Sequence, residues 1–238
     1  MMTMPQPPSS VRWLAGIAVV MLAACSAAPT PAPSRSPTAT PSPSSTPLPP
    51  DTQTVGVLEI GIGTFDLAAF PVASLKNEAT YHAAASVVVH FVTHRAGRTL
   101  GSLDSVPVNL APGEVLAVTA DCTDACNGAA SVSVSVAVGS WTTGIGPVFP
   151  TASAAYACQP CHSAHGYGDV KGILTPSSAI SAGVAVVAFA VCKNGAGVIV
   201  GGGSEQFIWQ AGSSLAADVP VVLSAAPSSC ALGASTGW

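Results

Sequence analysis

Residues 156 to 170, "YACQPCHSAHGYGDV", hold Cys158, Cys161 and His162 in a C-x-x-C-H run. Two thiols followed by an imidazole at this spacing can bond the vinyl groups of a haem and ligate its iron, the attachment chemistry of haem c. The same thiols can instead close a disulfide in a loop. Three features favour the disulfide. All four methionines lie at or before Met21, which leaves none for a second axial position. His165 stands too near His162 in sequence to reach the opposite haem face easily. The flanks "TASAAYA" and "SAHGYGD" are small and polar, where a haem ring needs an apolar wall. Thioredoxin-like exchange is also disfavoured, because no strand-to-helix context follows the pair. The expectation is therefore a structural disulfide without a cofactor, with haem c on Cys158, Cys161 and His162 as the alternative.

Other chemistry finds less support. His90 and His94 point to one face of a strand, but at about 3.3 Å per residue they stand roughly 13 Å apart, too far to share one ion. His162 and His165 could join the two nearby thiols on zinc only if those thiols stayed reduced, which export opposes. No metal site is expected. The chain has many serines but no G-x-S-x-G elbow and no carboxylates paired at useful spacing. "VGGGSE", Val200 to Glu205, lacks the lysine and following helix of a phosphate loop and reads as a turn or bulge within a strand. No enzymatic activity is expected.

The amino terminus supplies an address. Arg12 precedes an apolar run from Trp13 to Ala24, too short to span a bilayer as a helix but of signal-peptide length. It ends in "LAAC", Leu22 to Cys25, which resembles a bacterial lipobox. That resemblance implies cleavage before Cys25, a diacylglyceryl thioether on its sulfur and acylation of the new amino terminus. Two or three acyl chains anchor stably where one does not. The expected location is the bacterial cell envelope, on the outer side of the cytoplasmic membrane or in the outer membrane. From Ser26 to Pro50 nine prolines, six serines, four threonines and four alanines fill the 25 positions. Such a segment has almost nothing to bury and reads as an extended tether. At about 3.1 Å per residue it reaches roughly 75 Å.

The elements that must position any site are strands. Charged residues make up 8% of the chain and aromatics 5%, with a net charge of −4, so no basic footprint for nucleic acid exists. "SVSVSVAV" from Ser131 alternates with period two, and "SVVVHFVTH" from Ser86 and "VAVVAFAVC" from Val184 are rich in β-branched residues. The fold class is all-β. Val88, Val89, Phe91 and Gly97 recur as Val186, Val187, Phe189 and Gly195 with one constant shift, and Trp141 and Trp238 close the two copies. Two tandem immunoglobulin-like sandwiches are expected from such a repeat. The divisions are a signal peptide at 1–24, lipidated Cys25 and tether at 25–54, one immunoglobulin-like domain at 55–141, a connector at 142–168 and a second domain at 169–238.

"VASLKN" from Val72, the strand and turn "VVVHFVTHRAGRTLG", and "LAPGE" from Leu110 together resemble the FxLYD-type domain of bacterial surface lipoproteins. A second, similar copy opens at "VKGILTPS" from Val170, and "VTHRAG" and "VCKNGAG" stand where that family tends to carry an aromatic and an aspartate. The resemblance implies a fold and a surface location, and no activity. Six cysteines remain beyond Cys25, and fifteen pairings are possible. Pairing within each segment keeps the bridges local: Cys122 with Cys126, Cys158 with Cys161, and Cys192 at a strand end with Cys230 in a final loop. The expected function is a lipid-anchored, non-catalytic binding, adhesion or envelope-structural module for a protein or glycan ligand. A lipid-anchored haem c electron-transfer protein is the alternative.

Overall fold

The computed structural model describes residues 50–66, 68–120, 122, 126–144, 146–158, 166–210 and 212–236. The signal peptide, Cys25 and the tether up to residue 49 lie outside the described residues. The remainder is all-β, as expected, and falls within one compact unit. Its strands are β1 (Val55–Phe65), β2 (Ala68–Asn77), β3 (Ala83–Arg95), β4 (Arg98–Asp104), β5 (Val108–Leu110), β6 (Val115–Thr119) and β7 (Ser131–Thr142), then β8 (Phe149–Cys158), β9 (Gly166–Leu174), β10 (Ala185–Lys193), β11 (Ile199–Ile208), β12 (Leu215–Leu223) and β13 (Ser229–Ser235).

The first seven strands form two antiparallel sheets. One has the order β1-β2-β6; in the other, β3 is flanked by β4 and β5 on one side and by β7 on the other. The alternation of β7 is realised as Ser131, Ser133 and Ser135 exposed, with Val132 turned to the core. Leu75, Val87, Val89, Phe91, Val108 and Leu116 meet in that core, and a fully buried side chain of this size contributes about 1.5–3 kcal/mol.

The last six strands depart from the expected sandwich. They close into an antiparallel barrel in the order β10-β11-β12-β9-β8-β13. The glycine run of β11 is one cause. A Cβ at Gly203 would strike the Pro220 carbonyl, and one at Gly201, whose φ is +149, would strike the Val222 carbonyl. Glycine lets these backbones approach closely enough to turn the barrel corner. The register slips between Cys192 and Lys193 opposite Gly201 and Ile199, so a bulge at Val200 adds curvature, and "VGGGSE" is strand with a bulge.

Three further expectations need correction. The segment 142–168 is not simply a connector, because it contains β8, which pairs with β9 and β13. Its alternation runs through Ala152, Ala154 and Tyr156 against Ser153 and Ala155, a contrast between small residues too slight to stand out in the sequence. Nor are the two halves independent, for the barrel has a core of its own but also lends residues to that of the first half. On β10, Val186, Ala188, Ala190 and Cys192 face the barrel interior, while Val187 and Phe189 pack into the core of the first two sheets. A strand buried on both faces reads as a continuous apolar run, which is what "VAVVAFAVC" is. The repeat shift also fails at the turn: the glycine matching Gly97 (φ +77) in conformation is Gly197 (φ +78), two residues beyond Gly195.

Candidate functional site

β9 and β12 pair along their whole length, and the register sets Tyr167 beside Val222, Asp169 beside Pro220 and Lys171 beside Asp218. Alternation turns Tyr167 and Lys171 outward while Gly166, Gly168 and Val170 are buried. The Tyr167 ring meets Phe65 edge-on, with centroids 5.5 Å apart. A Cβ at Gly166 would run into that Phe65 ring, and one at Gly168 into Tyr156. The alternation of glycine with Tyr167 in "GYGD" therefore serves packing on both sides of the strand.

β12 pairs with β11 only through Gly201–Leu223 and Gly202–Val222. Pro220 has no N–H to extend a ladder. Beyond these pairs lies a cleft of about 520 Å³, lined by Phe70, Tyr167, Asp169, Ser204, Glu205 and Pro220. Tyr167 is 47% exposed there. Lys171 is committed to Asp218 at 2.8 Å and reaches Asp169 only at 4.0 Å. The hydrogen bond and charge of Asp218, helped by Asp169, raise the Lys171 ammonium above its ordinary range. The Glu205 carboxylate has no hydrogen-bonding or ionic partner among the described residues. The cleft thus offers aromatic faces and two carboxylates against one cation already engaged elsewhere. Sequence reasoning assigned none of these residues a binding role and took Ser204 and Glu205 only as part of a turn or bulge; a proline inside a strand and the Gly-Tyr-Gly-Asp run were the signals that could have found the cleft.

The residues singled out by sequence are not brought to that cleft. Cys161, His162 and His165 lie outside the described residues. Cys158 ends β8 and is disulfide-bonded, so its sulfur is not free to bond a haem vinyl group. Cys122 is bridged to Cys126, with Cα atoms 5.6 Å apart. Cys192 is bridged to Cys230. The two stand directly opposite across β10 and β13, so Cys230 belongs to a strand and not to a final loop. His90 bonds Asp104 at 2.5 Å, and His94 bonds Ser133 at 2.9 Å, so each has a local partner. No group of three or more potential metal ligands occurs among the described residues.

"VASLKN" and "LAPGE" do converge, at a structural corner. Asn77, fully buried, donates to the carbonyls of His82 and Leu110 and accepts from the Ala79 amide. Glu114 accepts from the Ala111 amide at 2.6 Å, and its own carbonyl accepts from the Asn77 amide. Burial pushes the Glu114 carboxyl up to about 7, against the opposing effect of the Ala111 amide. Asp51 closes the same region by accepting from the amides of Thr80, Tyr81 and His82 and pairing with the His82 ring at 2.6 Å. Burial raises the Asp51 carboxyl, but these hydrogen bonds and the His82 charge outweigh it and hold the group below its ordinary range. The arrangement fastens the first described residues to the sheet.

Comparison of the chain with protein-family models, with curated proteins and with solved structures finds no match.

Proposed function

We propose that this chain is a lipid-anchored envelope protein, held through Cys25 and its Pro/Ser/Thr tether, that works as a non-catalytic binding module. In this reading the first two sheets are an immunoglobulin-like sandwich of the FxLYD type, and the barrel beside them presents the ligand cleft. The observation that carries it is the cleft bounded by Tyr167, Asp169 and Glu205. Its volume of about 520 Å³ suits a small ligand or a peptide side chain. An exposed aromatic face beside carboxylates that lack a full complement of cations suits a positive group on an apolar stem, such as lysine or arginine in a partner protein. Such a contact weakens as salt is added, since charges in an open cleft are screened.

The test is a peptide array spanning lysine-rich, arginine-rich, neutral and acidic sequences, probed with the full chain. Binding should concentrate on the cationic peptides and fall at least tenfold in Tyr167→Ala and Glu205→Gln. Equal binding to neutral peptides, or variants that bind as the wild type does, would remove the cleft from the proposal. The anchor is tested separately: Cys25→Ala should move the protein out of the membrane fraction.

A further inference from the structure

We propose that β7 is the edge through which the chain pairs with a second copy of itself. This inference stands apart from the ligand cleft and rests on the second sheet, which ends on β7. Among the described residues β7 pairs with β3 alone, through eleven residues from Ser131 to Thr142 with Gly139 skipped.

The direction of the free backbone groups follows from the neighbours of β3. The Val89 amide donates to Ser105 Oγ, and the Val89 carbonyl accepts from the Ser105 amide, so the polar groups of Val89 point away from β7. The His94 carbonyl accepts from the Ala130 amide and so points towards the β7 side. Backbone groups alternate along an antiparallel strand, which makes His90 and Ser135, and Val92 and Ser133, the hydrogen-bonded pairs. The N–H and C=O groups of Val132, Val134, Val136 and Val138 are then directed outward from the edge.

Nothing on β7 guards those groups. An edge strand is ordinarily protected by charge, proline, a bulge or brevity. β1 has a register shift between Val57 and Glu59, with Glu59 paired to Lys193. β4 carries Arg98 and Asp104, β5 has three residues and β6 has five. β7 runs for twelve residues with no charge and no proline.

Its pattern selects the partner. From Ser131 to Val138 only the valines offer outward groups, so two antiparallel copies must hydrogen-bond valine to valine, and on the wet side Ser135 then faces Ser135 while Ser133 faces Ala137. The fullest overlap sets Val132 against Val138 and Val134 against Val136 of the second copy, with Ser135 on the two-fold axis. Such a contact is self-complementary and closes at two copies, because the far edge of this sheet is the charged β4 and the short β5. The cleft beside the start of β7, lined by Ser131, Val132, Ile60 and Val198, leaves Ile60 44% and Val198 57% exposed. A strand added to β7 would approach this apolar surface.

The experiment is sedimentation equilibrium of the full chain in mild detergent, with circular dichroism to verify folding. The wild type should be a dimer. Ser135→Lys and Ser135→Glu each set like charges together at the two-fold axis and should raise the dissociation constant at least tenfold. An equimolar mixture of the two should restore dimerisation, which a misfolded variant could not do. Val136→Pro, which removes one outward donor and leaves the β3 ladder intact, should weaken dimerisation as well. A wild type that remains monomeric at about 100 µM, where a dimer with a micromolar dissociation constant would be assembled, overturns the proposal. So does a dimer that the variants leave unchanged, or a mixture that fails to associate.

Discussion

Glu114→Gln should stabilise the protein at alkaline pH and do so progressively. The carboxyl is largely buried behind the Ala111–Glu114 turn, where it accepts from the Ala111 amide, and its pKa is raised from 4.5 to about 7. Below about pH 4.5 the group is protonated in both folded and unfolded chains, and its ionisation has no effect on stability. Between about 4.5 and 7 the unfolded chain ionises while the folded chain holds its proton, so the wild type loses stability as pH rises. Above about 7 the whole penalty is present, and the gap between the two pKa values corresponds to roughly 3 kcal/mol. Glutamine keeps an acceptor for the Ala111 amide and has no charge to bury. Urea unfolding of both proteins, followed by circular dichroism at about pH 4, 6 and 8, isolates the effect, because every other titrating group cancels in the difference. The advantage of the glutamine variant should grow by up to roughly 3 kcal/mol across this range. A difference that stays flat with pH would refute the assignment of buried charge to Glu114.

Replacing Cys192 and Cys230 together by alanine opens a bridge that spans 38 residues, worth about 4 kcal/mol in the chain-entropy model. Because Val187 and Phe189 of the same strand pack into the first-half core, both halves should melt together, as one transition shifted to lower temperature in calorimetry. Asp51→Ala should release the residues before β1 and expose the amides of Thr80, Tyr81 and His82, seen as faster hydrogen exchange at those sites. In the wild type the depressed Asp51 pKa means that this clamp is present above pH 3.8, the ordinary value, and is lost as pH falls through the lower folded value. Exchange at the three amides should therefore converge with that of the variant in acid.

The sequence alone determined the strand content, because alternation such as that of β7 and the β-branched runs of β3 and β10 are local properties with a period of two. It assigned no role to Asn77 or Glu114, because the hydrogen bonds joining "VASLKN" to "LAPGE" exist only once those segments are folded together. β8 stayed hidden, since a strand built from Ala, Ser and Thr offers little contrast between its faces. Tertiary structure decided the rest. The sequence does not say which strand closes on which, and barrel closure depends on the contact of Gly201 and Gly203 with carbonyls on β12, about twenty residues away. Nor does it say that the second face of β10 is buried by the other half, since a continuous apolar run fits any strand covered on both sides. The cleft is non-local for the same reason: Phe70, Tyr167, Glu205 and Pro220 come from four strands, and only the pairing of those strands makes neighbours of side chains that are distant along the chain.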